Sequence, residues 1–238
     1  MIHATRGLKL LCLSFLAALG LIAAIASSAQ ALTWDIEGTQ ITTDKVFEGT
    51  LEAGTEFLLL VTLNTKVIVV HCNNLAIDGG TLFAASNTAH ATLLLTGCKT
   101  LVDGVAVPTC NPPNNAITMK VKFKPILHNA KVYFLFEPLA GAGKEEEEEY
   151  ATLFSEAESP ECTLGPTRIT GTYVMQCYTG VLVLETCSTA RERQQVTFAP
   201  AALFSSDVLK ANKTAVVTLD GEFAFYLNVA GKKWNALL

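Results

Sequence analysis

Apolar and polar residues alternate along much of the chain, in short runs that Gly, Asn, Asp or Pro separate. In Ile117–Lys124 every second residue is apolar, and the residues between are threonine or lysine. Alternation of this kind places one face of a β-strand in a core and the other in water, as is typical of antiparallel sheets. Pro125 is expected to end this strand. After a connection over 126–130, Lys131–Glu137 is predicted as a neighbouring strand that stops at Pro138.

Two further strands are predicted near the C-terminus. Asp220-Gly221 separates Ala215–Leu219 from Glu222–Val229, and this dipeptide supplies the positive φ angles of a tight hairpin. The sequence therefore predicts a hairpin here. Other strands are predicted at Phe57–Leu63, Val67–Cys72, Thr81–Ala84, Ala91–Thr96, Arg168–Cys177, Val181–Glu185 and Gln194–Phe198. Helical periodicity is scarce, and it predicts short helices only at Pro200–Ala211 and Lys144–Glu158.

These elements together predict an all-β protein. We expect an antiparallel β-sandwich or an irregular barrel, stapled by disulfides. A β-helix is the alternative, because short strands separated by glycines run from Val67 to Thr96. The solvated face of Ile117–Lys124 and the Asp220-Gly221 turn favour the sandwich or barrel.

The first thirty-one residues have the three zones of a cleavable secretory signal. A short basic leader precedes the uncharged run Leu10–Ala26, and the segment ends in Ala29-Gln30-Ala31, the small-x-small pattern that signal peptidase cleaves. We therefore assign 1–31 to a signal peptide and 32–238 to a single mainly β domain. An uncleaved membrane anchor is the alternative, but the apolar run is shorter than the roughly 20 residues that span a bilayer. The predicted location is secreted, periplasmic or on the cell surface, with no membrane span after cleavage.

Charge and cysteine content refine this picture. The formal net charge is −5, and it becomes more negative once the basic signal is removed. An acidic surface repels phosphate backbones, so nucleic acid is not an expected partner. An even number of cysteines in an exported chain favours disulfides, and no two are spaced as in a C-x-x-C metal site. The candidates are Cys72, Cys98, Cys110, Cys162, Cys177 and Cys187. Many pairings are possible, and a bridge from Cys98 to Cys110 is favoured because it would close a short Pro-containing loop.

The sequence contains no recognisable catalytic, cofactor-binding or metal-binding motif, and no such site is predicted. His71 beside Cys72 suggests a Cys–His nucleophile pair, but adjacent residues on a strand point to opposite faces. His90 and His128 lie in turn-like surroundings and are expected to be exposed. Carboxylates that are distant in sequence but close in space would allow a hydrolase. The candidates are Asp35, Glu37, Asp44, Asp78 and Asp103. Asp78 and Asp103, each followed by glycine, fit turns better.

Two further features have a simpler explanation than a ligand site. Trp34, Trp234 and Tyr226 would suit an aromatic platform for sugars, but packing in the core or at a sheet edge is the commoner role of such residues. The acidic run Glu145–Glu149 would suit a cation, but calcium is wrapped by acids interleaved with turn residues. We therefore interpret the run as a solvated loop.

Several short motifs lie between Cys72 and Cys177. They are Leu95-Thr96-Gly97-Cys98, Val107-Pro108-Thr109-Cys110, Phe136-Glu137-Pro138-Leu139, Cys162 and Ile169-Thr170-Gly171-Thr172. In these motifs the chain resembles a group of uncharacterised exported bacterial proteins with a Gly-Cys and Pro-x-Cys pattern. The resemblance implies a bacterial envelope or secreted location, and it implies no activity.

We therefore expect a non-enzymatic secreted or cell-envelope protein that acts as a structural or binding module toward a cell-surface or extracellular ligand. The alternative is a secreted hydrolase that uses dispersed carboxylates. The hydrolase requires two acids that face each other across a cleft, roughly 5–10 Å apart. The binding module instead predicts an exposed aromatic or apolar patch, or an open sheet edge.

Overall fold

The computed structural model describes residues 32–139, 149–154, 162–179, 183–199, 204 and 208–237, and the predicted signal peptide lies outside these ranges. Within them the chain forms twenty strands and two single turns of 3-10 helix, so the all-β prediction is confirmed. The strands are β1 (Thr33–Ile36), β2 (Thr39–Gln40), β3 (Lys45–Leu51), β4 (Phe57–Leu63), β5 (Lys66–Cys72), β6 (Asn74–Leu82), β7 (Ala89–Thr96), β8 (Lys99–Val102), β9 (Val105–Ala106), β10 (Ala116–His128), β11 (Lys131–Pro138), β12 (Glu149–Leu153), β13 (Thr167–Thr170), β14 (Tyr173–Thr179), β15 (Val183–Glu185), β16 (Arg193–Phe198), β17 (Leu209–Ala211), β18 (Ala215–Asp220), β19 (Glu222–Leu227) and β20 (Trp234–Leu237). The 3-10 turns are Pro108–Cys110 and Pro113–Asn115.

Eight of the described strands close into an antiparallel barrel in the order β11-β10-β7-β6-β3-β19-β16-β14, and β14 pairs back to β11. The alternation predicted on β10 places Val121 and Phe123 inside the barrel, where both are buried. The ring of Phe123 stacks on Phe136 with centroids 4.5 Å apart. Every pairing between described strands is antiparallel, which rules out the β-helix alternative, since its coils pair in parallel.

A second sheet continues from the barrel in the order β12-β13-β17-β18-β4-β5-β8-β9 and curves as a half-barrel. Its inner residues and those of the barrel share one buried core. Phe57 of β4 illustrates the junction, because its ring centroid lies 6.3 Å from that of Phe223 in β19. The outer face of this sheet is not covered by any described strand.

A small sheet of β2, β1 and β20 packs against the barrel core. Trp34 of β1 and Trp234 of β20 are fully buried there, with ring centroids 6.1 Å apart. Trp34 also contacts Phe134, and its indole Nε1 donates a hydrogen bond to the carbonyl of Thr88 at 3.2 Å. The first described strand is therefore held against the last one.

A single two-stranded ribbon passes through both large sheets. In the second sheet β5 pairs with β8, and the register ends at His71 opposite Lys99. In the barrel β6 pairs with β7, starting at Asn74 opposite Thr96, so the same register continues across the junction. The ribbon bends between these two pairs, at the corner where the chain changes sheets.

All six predicted cysteines form disulfides within the described ranges: Cys72–Cys98, Cys110–Cys162 and Cys177–Cys187. The predicted bridge between Cys98 and Cys110 is therefore wrong. Cys98 lies directly across the ribbon from Cys72, with Cα atoms 4.0 Å apart, and is bonded to it. Sequence spacing favoured the short loop, but strand register decided the partner.

The predicted C-terminal hairpin is also wrong, although both of its strands exist. β18 pairs with β17 and β4 in the second sheet, whereas β19 pairs with β16 and β3 in the barrel. Asp220-Gly221 is therefore a crossing between sheets. The carboxylate of Asp220 accepts a hydrogen bond from the nitrogen of Gly221 at 2.8 Å, which stabilises the bend.

Pro125 does not end β10, which continues to His128 and forms a hairpin with β11. The backbone nitrogen of Leu139 donates a hydrogen bond to the carbonyl of Lys120, which makes these two residues a hydrogen-bonded pair at the end of the β10–β11 ladder. Because bonded and non-bonded pairs alternate along an antiparallel ladder, Pro125 opposite Phe134 is a non-bonded pair, and its nitrogen faces away from β11. On that other side β7 pairs only as far as Phe123, so the missing N–H breaks no bond. The end predicted at Pro138 is confirmed.

Most of the remaining predicted strands are present with adjusted ends. Of the strand predicted at Thr81–Ala84 only Thr81 and Leu82 are extended, as the end of β6, and residues 181–182 lie outside the described ranges. The run Arg168–Cys177 is divided at Gly171 into β13 of the second sheet and β14 of the barrel. Both predicted helices are wrong where the structure describes them. Glu149–Leu153 is strand β12 and Leu209–Ala211 is strand β17, while the rest of these two segments lies mostly outside the described residues.

Candidate functional site

The candidate acids of a hydrolase do not converge on one cleft. Four of them accept hydrogen bonds from backbone nitrogens in or beside turns, which is the ordinary role of such residues. The bonds run from Gly38 to Asp35 (2.7 Å), from Ala84 to Asp44 (2.9 Å), from Val67 to Asp103 (2.9 Å) and from Lys233 to Glu37 (2.9 Å). Asp78 lies on β6 beside a bulge. The four acids other than Asp78 therefore stabilise loops and strand ends, whereas the turn expected at Asp78 is wrong, because Asp78 lies within β6.

The histidines are likewise dispersed. His71 Nδ1 lies 3.4 Å from Glu56 Oε2, and the neighbouring Cys72 is consumed in its disulfide. His90 and His128 are half-buried rather than exposed. Burial and the nearby Lys122 ammonium lower the pKa of His90 below its ordinary value. No group of three His, Cys, Asp or Glu side chains that could hold a metal occurs in the part of the chain that is described.

The three aromatic residues considered for a sugar platform do not form one. Trp34 and Trp234 lie in the core, as described above. Tyr226 is on the outer wall of the barrel, where the Arg193 guanidinium lies 5.1 Å from its ring centroid. The simpler interpretation, packing in the core or at a surface, therefore holds for these residues.

A polar cluster that sequence reasoning missed lies on the barrel wall. The hydroxyl of Tyr178 donates to Glu222 Oε2 at 2.9 Å, and the nitrogen of Glu52 donates to the carbonyl of Glu222 at 2.9 Å. Arg193 Nη2 lies 3.5 Å from Glu52 Oε1. Burial, with the adjacent Glu222 and Glu52 carboxylates, raises the pKa of Tyr178. The two acids sit side by side on one wall and are partnered, so they lack the opposed geometry that glycoside hydrolysis requires.

The outer face of the second sheet is unusually apolar. Alternation on β4, β5 and β18 turns one set of residues inward, including Leu59, Ile68 and Val217, and the next set outward. The outward aliphatic residues, which we name the aliphatic face, are Leu58, Leu60, Val67, Val69, Leu101 and Val216. Leu60, Val67 and Val216 are 40%, 41% and 58% exposed.

Strand register makes these residues neighbours. Leu60 lies opposite Val69 across β4 and β5, and Val69 lies opposite Leu101 across β5 and β8. Thr62 lies opposite Val67, one row further along the sheet. Leu60, Val69 and Leu101 therefore form an aliphatic row over three strands. On β18 the residue opposite Leu60 is Thr218, so Val216 lies diagonally from Leu60, and Lys99 and Asp220 lie at the margin of the face.

A second surface feature lies at the bend of the ribbon, beside the Cys72–Cys98 disulfide. It is a cavity of about 290 Å³, which we name the corner cavity. Its polar lining consists of Asn73, Lys99, Thr100, Asn111 and Asn115. Ala106 and Pro108 add a small apolar surface.

The wall of the corner cavity is held by hydrogen bonds to β8 and by disulfides. Asn111 Oδ1 accepts from the Thr100 nitrogen at 2.8 Å, and Thr100 Oγ1 donates to the Cys110 carbonyl at 2.7 Å. The nitrogen of Cys98 donates to the Asn115 carbonyl at 2.8 Å. Asparagines follow Cys72 and Cys110 closely in the sequence, and this was the available signal for the cavity.

The fold and its bridges define the class of protein: an all-β chain with a closed barrel and a half-barrel sheet, stapled by disulfides between all six described cysteines. Such bridges indicate an oxidising environment, such as the cell exterior or the periplasm. No helix among the described residues is long and apolar enough to cross a membrane. Comparison with protein-family models, curated proteins and solved structures finds no match to this chain.

Proposed function

We propose that this chain is an exported, non-enzymatic module that binds a cell-surface or extracellular partner through the aliphatic face. The observation that carries the proposal is the continuous outward row of Leu60, Val69 and Leu101, with Val67 and Val216 beside it. Single exposed apolar residues are normal on a protein surface, but a contiguous apolar patch with a polar margin marks an interaction site.

The predicted signal peptide over 1–31 and the resemblance to exported bacterial proteins support an envelope or secreted location. The disulfides Cys72–Cys98, Cys110–Cys162 and Cys177–Cys187 agree with that address, since such bridges persist outside reducing compartments. The hydrolase alternative has less support, because four of the five candidate acids stabilise turns and strand ends and Asp78 lies apart on β6. In addition, the paired Glu52 and Glu222 face the same way.

The test measures cosedimentation of the mature protein with cell envelopes of the organism that produces it. Leu60→Asp places a carboxylate in the apolar contact and is expected to weaken binding at least about tenfold. Leu94→Asp is the matched control, since Leu94 is 38% exposed and also points outward from a strand, but on the barrel. Val216→Lys provides a second variant at a more exposed position, in case Leu60→Asp disturbs folding.

Retention of the wild-type protein and of Leu94→Asp, with loss of Leu60→Asp and Val216→Lys, would support the proposal. Absence of wild-type cosedimentation, or equal behaviour of Leu60→Asp and Leu94→Asp, would contradict it. Release of soluble sugar products from the envelopes by purified protein would instead establish the hydrolase. Thermal unfolding of each variant shows which of them are folded and can be compared.

A further inference from the structure

The corner cavity contains polar groups that the fold leaves unused. The Asn73 side chain makes no hydrogen bond to another described residue, and Asn115 accepts one from Asn111 Nδ2 through its Oδ1 while its own Nδ2 group is without an acceptor there. The Lys99 ammonium has no carboxylate partner within 4 Å in the described ranges. By contrast, Asn111 and Thr100 are engaged in holding the wall. Two amides and one cation therefore face the same space and remain available to a ligand.

We propose that the corner cavity binds a monosaccharide that carries a carboxylate, that is, a sugar acid. Among the described residues no aspartate or glutamate lines the cavity, and Lys99 gives it a local positive charge in a chain whose formal net charge is −5. A hydrogen bond from an ammonium to a carboxylate is stronger than one between neutral groups, so a carboxylate is the group that Lys99 would bind best. The amides of Asn73 and Asn115 offer donors and acceptors to sugar hydroxyls.

The size and rigidity of the corner cavity also favour a single sugar ring as its ligand. The volume of about 290 Å³ lies near the lower end of the range for ligand pockets, which suits one sugar ring rather than a polymer. Ala106 and Pro108 provide a small apolar surface for the carbon face of the ring. The disulfides at Cys98 and Cys110 fix both sides of the cavity, so little ordering would accompany binding.

The experiment is calorimetric titration of the mature protein with glucuronate, glucose and acetate. Glucuronate is expected to bind in a saturable manner, while glucose lacks the charge and acetate lacks the hydroxyls. Lys99→Gln and Asn115→Ala are each expected to weaken glucuronate binding at least about tenfold. Lys131→Gln is the matched control, because Lys131 is also an exposed lysine on a strand and lies in β11. This control is expected to bind as the wild type does.

Three results would overturn the inference: no saturable binding of glucuronate, equal affinity for acetate or glucose, or equal effects of Lys99→Gln and Lys131→Gln. The cavity adjoins the aliphatic face, since Lys99 lies at the margin of that face and Ala106 pairs with Leu101, so the two proposals are separated by variants away from this shared edge. Leu60→Asp is expected to leave glucuronate binding unchanged, and Asn115→Ala to leave envelope binding unchanged. Failure of one proposal is therefore distinguishable from failure of the other.

Discussion

Cys72 and Cys98 face each other across one continuous ribbon at the point where it leaves the second sheet and enters the barrel. The pairs on either side, His71 with Lys99 and Asn74 with Thr96, keep the same register. The bridge therefore ties two chain crossings together at one corner. The corner cavity opens directly beside it.

The disulfide pattern can be checked on the native protein. Peptide mapping by mass spectrometry without reduction is expected to return Cys72 linked to Cys98, Cys110 to Cys162 and Cys177 to Cys187. The same map is expected to begin at Leu32, as signal cleavage after Ala31 predicts. A peptide that joins Cys98 to Cys110 would contradict the described register of the ribbon.

The three bridges should differ in their contribution to stability. They separate cysteines by 26, 52 and 10 residues in the order just given. If bridges act by restricting the unfolded chain, replacing both cysteines by alanine costs about 4 kcal/mol for Cys110–Cys162 and about 3 kcal/mol for Cys177–Cys187. Urea unfolding of the double variants measures both values. A larger loss for the Cys177–Cys187 pair would show that native contacts, rather than loop closure, dominate.

Gly97 is expected to be required at the corner. It has a φ of +66°, and a Cβ atom at this position would collide with the Asn73 side chain. Gly97→Ala should therefore lower the free energy of unfolding by about 1–2 kcal/mol from backbone strain, and by slightly more because the exposed Asn73 side chain must rotate away. Gly104→Ala is the control, because Gly104 has a φ of +80° with open space around it and should show only the strain. Equal effects of the two substitutions would remove the collision from the explanation.

Stability at acidic pH should depend on the lowered pKa of His90. Its pKa is lowered by burial and by Lys122, so the unfolded chain takes up the proton more readily than the folded one. His90 therefore makes the protein less stable as pH falls through the ordinary histidine value of 6.5. NMR titration should show the His90 pKa rising toward that value in Lys122→Gln. Lys120→Gln, a change on the same face of β10, should leave it in place.

Stability at alkaline pH should depend on the raised pKa of Tyr178. Burial and Glu222 raise its pKa, and burial raises that of Tyr173, so both phenols stay neutral in the fold after unfolded tyrosines ionise. Their contribution to stability is complete below the ordinary pKa of 10.0 and is lost as pH rises above it. Ultraviolet titration should show the Tyr178 pKa lowered, but still raised by burial, in Glu222→Gln. Glu48→Gln on the neighbouring strand β3 should not change it.

Sequence predicted the local pattern of this fold better than its pairings. Alternation in Ile117–Lys124 identified β10, because a strand with one face in the core and one in water alternates apolar and polar residues along its own sequence. The Asp220-Gly221 step has the chemistry of a hairpin, but β18 and β19 find their partners in β4 and β3, far away in the chain. Burial in those distant partnerships outweighs the local preference.

The candidate surfaces were predictable only in part. The even number of cysteines in an exported chain predicted that they form disulfides. Which cysteines pair could not be predicted, because the Cys72–Cys98 bridge depends on the register of the ribbon. Asn73, Lys99 and Asn115 carry no motif, and they meet only because the chain bends at Gly97. Tyr178 and Glu222 come from two separate strands, and Glu52 follows a third. Side chains that a sheet gathers from distant segments leave no spacing for a sequence pattern to detect.

Pairing of β1 with β20 has a consequence for how the chain acquires its native state. Two segments almost two hundred residues apart must meet before Trp34 and Trp234 can be shielded from water, and the entropy of closing such a loop is unfavourable until the intervening strands are in place. We therefore expect the tryptophan pair to assemble late in folding. Tryptophan fluorescence should report completion of the native structure rather than its initiation.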